Sequence, residues 1–283
     1  MIVHSAEMFL RRRVIFVVVL LVSALALASA SWAQRFRVME GPGMPLRIPP
    51  PHFSDGAFTI CKMMFTSNRR EANGFGWSTD YPFSGLNLML RSSEVTKMRI
   101  SKDSRGEANY WTVRLTDQSL FECPLLLGSD VGTIGLAPVE VARLREYLLK
   151  GGFLWVDDFW GTRAWDQWAD AMRQVLPEYP IFDIPLDHPI RETLFDVSHV
   201  PQVPGINFWR ASGGGTAERG NDSPQADFRG IADSHGRIMV VMTHNTDIGD
   251  SMEREGEDAD FFESFSPRGY ALVSDIVLYA LTH

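Results

Sequence analysis

Asp157 and Asp158 stand side by side where an apolar run, Phe153-Leu154-Trp155-Val156, comes to an end. Two carboxylates in that position can hold a cation, move a proton or accept backbone N–H groups. His188, inside Pro185-Leu186-Asp187-His188-Pro189, and His244, inside Thr243-His244-Asn245-Thr246-Asp247, add imidazoles after two further apolar runs. Asp157, Asp158, His188 and His244 are therefore the candidate catalytic residues, since carboxylate and imidazole together can bind a divalent cation and activate water. Arg69, Trp77, Asp80, Asp130, Asn245 and Asp247 follow other apolar runs and are the candidate ligand contacts. No short-spaced ligand pattern such as HExxH is present, so the sequence assigns no metal and no cofactor. Each candidate has a plainer reading. One Asp caps a helix and the other is solvated, His188 is a loop residue ordered by Pro189, and His244 caps a strand end. Arg69 and Trp77 pack a loop.

The elements that must carry these groups follow from periodicity. Residues 136–159 read as helix, double-glycine turn and strand. Pro138 suits a first helical turn, where its missing N–H costs nothing. Val141, Leu144 and Leu148 form an apolar stripe, with Arg143, Arg145, Glu146 and Lys150 opposite. Gly151 suits the residue just past a helix C-terminus. The apolar run after it is expected of a strand covered on both faces. Ligands of open α/β sheets sit outside the carboxyl ends of strands, which is where the two aspartates fall.

The same reading predicts a strand over residues 57–66, a helix over 84–94 with Leu86, Met89 and Leu90 inward, and a short strand over 97–100. A surface strand over 110–115 and a sheet strand near 125–128 follow. A helix over 163–176 carries Trp165, Trp168, Met172 and Val175 on one face. Residues 181–184 form a strand, 229–242 a hairpin, and Ser266-Pro267 open the final helix. Residues 200–236 hold few large apolar side chains and include Gly213-Gly214-Gly215, which reads as a long flexible insertion of the lid type. Alternating strands and helices imply an α/β fold with a largely parallel sheet.

The N-terminus has its own chemistry. Arg11-Arg12-Arg13 precede an apolar run over 14–28 and the small residues Ala28-Ser29-Ala30 and Ser31-Trp32-Ala33, the pattern of a secretory signal peptide. The run is short for a spanning helix. Residues 1–33 are the expected signal, with cleavage after Ala33 or Ala30, residues 34–56 a Pro/Gly-rich arm, and 57–283 a single α/β domain. Membrane contact is expected only through the signal segment, if it stays uncleaved. Its removal takes three Arg and one Glu from 27 basic and 35 acidic residues, leaving 24 and 34, a net charge of −10. That excludes nucleic acid and an anionic membrane surface as natural partners. Cys61 and Cys123 each lie near a strand start. Export permits a disulfide, but two free buried thiols are the expectation.

Gly76-Trp77 with Asp80, the LRxYLxxGGFLxxDD pattern over Leu144–Asp158, the Pro185–Pro189 run and the strand ending in Asn245-Thr246-Asp247 together resemble the bacterial domain of unknown function 4159. The resemblance covers roughly residues 57–282. It implies a flavodoxin-like three-layer sandwich of the class I glutamine amidotransferase-like group, while the signal pattern leads to an expected location in the periplasm or cell envelope. Relatives encoded beside membrane and chaperone-type ATPase proteins imply cell-envelope partners. It carries no catalytic residues. Glutaminases of that group place Cys on a strand-to-helix elbow. Here the matching strand ends in Ser129-Asp130-Val131-Gly132, and Cys123 lies at its other end. That placement argues against a Cys-His glutaminase, and Ser129 with His188 or His244 is a formal replacement only. The reading is thus an exported binding or interaction domain, with a metal-assisted hydrolase as the alternative.

Overall fold

The computed structural model describes residues 46–283. The predicted signal and most of the arm lie outside the described residues. Seven strands form one sheet: β1 Ile60–Met64, β2 Tyr110–Arg114, β3 Leu126–Ser129, β4 Leu154–Asp157, β5 Ile181–Asp183, β6 Asp227–Ala232 and β7 Ile238–His244, in the order β2-β1-β3-β4-β7-β6-β5. The five strands from β2 to β7 pair in parallel, and β6 runs antiparallel to both its neighbours. The fold is therefore mixed α/β with a mostly parallel sheet.

Among the described residues, six α-helices accompany it: α1 Phe83–Thr96, α2 Pro138–Leu149, α3 Gly161–Val175, α4 Ile206–Ser212, α5 Ile248–Glu253 and α6 Ala259–Thr282. Strand side chains alternate between the two faces. Cys61, Met63, Leu126, Leu154, Val156 and Met242 point to one face and pack with Leu144 and Leu148 of α2 and Trp168 and Met172 of α3. Ile60, Lys62 and Met64 point to the other, where α1 packs on β1 and β2 and joins α5 and α6. The central strands are buried throughout, as parallel strands covered on both sides must be.

Several expectations are corrected. Leu88 and Met89 face inward from α1, while Leu90 is 44% exposed, because the first turn buries the small Ser84 and Gly85 and rotates the stripe. Residues 97–100 form no strand. Ile100 makes only an isolated bridge to Phe58, and β2 takes the place beside β1. The final helix begins at Ala259, seven residues before Ser266-Pro267. Asp258 caps it by accepting from Asp260 and Phe261 N–H, and Pro267 lies inside it. Residues 200–236 are built rather than loose: they contain α4 and β6, with Val203, Ile206 and Ser223 buried.

The cysteines are also corrected. Cys61 and Cys123 form a disulfide, with Cα atoms 5.8 Å apart. β1 and β3 are sheet neighbours although the thiols lie 62 positions apart in sequence, a proximity that linear spacing does not reveal.

Candidate functional site

Register explains what gathers at the carboxyl edge. In a parallel sheet, paired residues point to the same face. Lys62 pairs with Leu127, Leu127 with Trp155, and Ser129 with Asp157. Lys62, Ser129 and Asp157 therefore climb one face, the side covered by α1, α5 and α6. The Lys62 ammonium donates to Ser129 Oγ at 2.6 Å and to the Thr79 carbonyl at 2.8 Å, and Ser129 Oγ donates to Asp80 Oδ2 at 3.0 Å. Asp157 accepts from Thr243 Oγ1 at 2.5 Å and from the Gly249 N–H at 2.7 Å. Lys62, Ser129 and Asp157 are each 1% exposed or less.

Three strand ends then turn sharply. Asp130 after β3, Asp158 after β4 and Asn245 after β7 all have left-handed backbone (φ 51°, 53° and 58°), and Asp80 joins them at 62°. Non-glycine residues held there cost free energy, and such positions cluster at functional sites. α5 completes the ring. Asp247 caps it, accepting from Asp250 N–H at 2.8 Å. Asp247, Asp250 and Glu253 then recur every three residues, on one helix face. A Cβ on Gly249 would lie 2.3 Å from Asp80 Oδ2, so only glycine lets this turn approach.

Carboxylate oxygens of Asp80, Asp158 and Asp247 lie within 4.8 Å of one another, as do those of Asp80, Asp250 and Glu253. Asp80 belongs to both groups. Against these acids and Asp157 stand Lys62 and Arg254, whose Nε lies 3.4 Å from Asp250 Oδ1 and 3.2 Å from Glu253 Oε2. Burial, which penalises charge, raises every one of these acids: Asp80 to about 6, Asp157 to about 8 and Glu253 to about 9, with Asp158, Asp247 and Asp250 also above the ordinary range. Mutual repulsion among the clustered carboxylates adds to the effect. Burial pulls Lys62 down, and the surrounding carboxylates oppose it. Among the described residues, Lys62 and Arg254 stand against six acids. The balance must come from protons or a bound cation. Both groups offer only oxygen ligands, which suits hard cations.

The other sequence candidates fall into three places. Asp130 adjoins the centre. It accepts from Gly76 N–H at 2.8 Å, and burial raises it to about 7. Asn245 lies at the same edge but is spent on structure, accepting from Gly161 N–H at 2.8 Å. Arg69 is tied to Gln167, Glu71 and the Gly132 carbonyl, and Trp77 packs on Tyr81. The histidines are not gathered in. His244 follows Thr243, so alternation sends it to the opposite face. There it packs at a tilt against Phe159 and Trp165, with its ring nitrogens against Asp227 and the Gly161 carbonyl. His188 caps a short 3-10 turn and packs on Tyr279. Neither Asp157 nor Asp158 caps α3; Asp222 receives the Thr162 N–H there.

Sequence reasoning missed Lys62, Asp250 and Glu253. Two signals were present. A lysine in the middle of the apolar run AFTICKMMFT must be paired if that run is a buried strand. The Asp247, Asp250, Glu253 spacing is one helix face.

Among the described residues, no helix is long and apolar enough to cross a membrane. No curated protein matches the chain significantly. Residues 69–281, which hold Asp80, Ser129, all the carboxylates of the centre and every strand but β1, match a family described as Domain of unknown function (DUF4159), and the chain belongs to that family.

Proposed function

We propose that this protein is an exported, non-catalytic binding domain of the bacterial cell envelope whose carboxyl-edge centre takes a hard divalent cation. The observation that carries the reading is the charge imbalance: six carboxylates, Asp80, Asp157, Asp158, Asp247, Asp250 and Glu253, converge against Lys62 and Arg254. Oxygen-only groups favour Mg²⁺, Ca²⁺ or Mn²⁺ over softer metals. The run β2-β1-β3-β4-β7 is compatible with a flavodoxin-like, glutamine amidotransferase-like sandwich. In that strand order the ligand crevice lies where β1 meets β3, and Lys62 and Ser129 stand there. The signal-like N-terminus and the disulfide support export. With both histidines committed elsewhere, nothing favours the hydrolase alternative.

The test is calorimetry and thermal melting of the secreted, mature protein after chelator dialysis. Mg²⁺, Ca²⁺ or Mn²⁺ should bind, release protons and raise the melting temperature. Asp80→Asn, which removes the carboxylate common to both groups, should abolish the effect. Identical melting with and without millimolar amounts of all three cations would refute the reading.

A further inference from the structure

The run Pro185-Leu186-Asp187-His188-Pro189 has no part in the carboxylate centre. It opens the segment 184–197, which follows β5, the outermost strand on its side of the sheet. The segment is a compact loop of the Ω type, its ends tied together by one side chain. Arg191 is buried. Its guanidinium donates to the Ile184 carbonyl at 2.9 Å and to the Val197 carbonyl at 3.2 Å, and lies 4.8 Å from the centre of the Phe228 ring. The Val197 N–H in turn donates to the Arg191 carbonyl at 2.9 Å. The middle of the loop is fastened to α6. Asp275, fully buried, accepts from Leu194 N–H at 2.8 Å and from Phe195 N–H at 3.0 Å. One helical turn further on, Tyr279 packs against His188.

A backbone anchored at both ends and in the middle sorts its apolar side chains. Ile184, Ile190 and Val197 are buried, whereas Leu186, Leu194 and Phe195 are 68%, 45% and 38% exposed. Large apolar groups concentrated on a fixed loop, with polar residues around them, mark an interaction site. The charges select the occupant. Asp183, Asp187, Glu192 and Asp196 are exposed, while Arg191, the only Lys or Arg from 181 to 199, is buried. A second copy of this chain would bring the same acids to the interface, and an anionic membrane surface would repel them. β5 is three residues long, too short an edge for strand addition to carry recognition.

We propose that the loop 184–197 docks a segment of a partner protein that presents large apolar side chains flanked by Lys or Arg. The partner's apolar groups cover Leu186, Leu194 and Phe195, and its cations meet the acidic rim. The surface shares no residue with the carboxylate centre, so it stands apart from the cation reading.

Photo-cross-linking in the native cells tests the proposal, with the cross-linker placed in the full chain at Leu186 or at Phe195. The control position is Val139, a comparably exposed apolar side chain on α2. Leu186 and Phe195 should give adducts to a segment rich in Lys or Arg, and Val139 should not. A synthetic copy of that segment should bind the mature protein. Leu186→Asn and Phe195→Asn should each weaken that binding about 10-fold. Asp187→Asn with Glu192→Gln should weaken it at low salt and flatten its salt dependence. Because the altered side chains lie in solvent, melting and cation binding should match wild type. Three results would overturn the proposal: no adduct from either loop position, equal adducts from Val139, or adducts to a lipid, a second copy or an acidic segment. Wild-type binding of the synthetic copy by both apolar variants would overturn it as well.

Discussion

Lys62 decides how the centre tolerates its own charge. It is fully buried, and its ammonium reaches Ser129 and the Thr79 carbonyl, while Asp80, Asp158 and Asp157 favour its charged form. Lys62→Met would remove the buried ammonium that faces those carboxylates. Breaking a buried pair from one side costs about 3–5 kcal/mol, so urea denaturation should show a loss of that order. Adding Asp80→Asn to Lys62→Met should recover part of it. The same charges set a pH dependence. The raised acids hold protons in the folded state that the unfolded chain gives up near its ordinary carboxylate range. The folded state therefore binds more protons between about pH 4 and the raised values, and stability falls as pH rises through that window. From the raised values of Asp80, Asp157 and Glu253, the cation-free protein should lose stability progressively from about pH 5 to about 9. A bound cation should flatten that slope. Melting curves across pH, with and without Mn²⁺, check both statements.

At the scale of elements, α5 shows how packing overrides propensity. Gly249 sits in the first turn of a six-residue helix. In an ordinary helix, Gly→Ala gains up to about 1 kcal/mol. Here the added methyl would meet Asp80 Oδ2 at 2.3 Å, with the Asp80 carboxyl carbon at 2.8 Å. Gly249→Ala should therefore destabilise the protein and weaken cation binding together, as melting and titration would show. A stabilised variant with unchanged binding would contradict the placement of α5 against Asp80. α1 follows a related rule: a Cβ on Gly85 would meet the Tyr110 ring at 2.3 Å, so small residues bring its first turn onto β2 and turn Leu90 outward.

At the scale of the molecule, the disulfide ties two neighbouring strands of the sheet, β1 and β3, at their entry ends. It joins the start of β1 to the residue three before β3 and closes a 62-residue interval. Chain-entropy arguments give such a closure about 4 kcal/mol, with a usual range of about 2–5. The Cys61→Ala, Cys123→Ala double variant should lose stability on that scale in guanidinium unfolding. On the export proposal, intact mass of the protein recovered from its native cells should show the bridge, lower by two hydrogens than the reduced chain, and a new N-terminus at Gln34 or Ser31. A reduced pair in protein recovered from the cell exterior would count against the oxidising-compartment argument.

The sequence by itself determined most of the elements. Unbroken apolar runs marked the buried strands, the 3.6-residue stripes marked α2 and α3, and Asp157 and Asp158 were legible as strand-end carboxylates because a short apolar run stops at them. Caps were harder to see, since Asp258 and Pro267 both look like helix starts and only packing selects between them. What the sequence could not determine was adjacency. β7, not the next strand in the chain, lies beside β4, and that choice brings Asp247, Asp250 and Glu253 to Asp80 from about 170 residues away in sequence. Nor could it say which face a strand-end residue takes once its neighbour is placed. One residue of alternation separates Thr243, bonded to Asp157, from His244, packed on Trp165. Periodicity is a local property set by backbone geometry. The centre is a product of pairing order, register and face, which arise only when the whole sheet closes around its core.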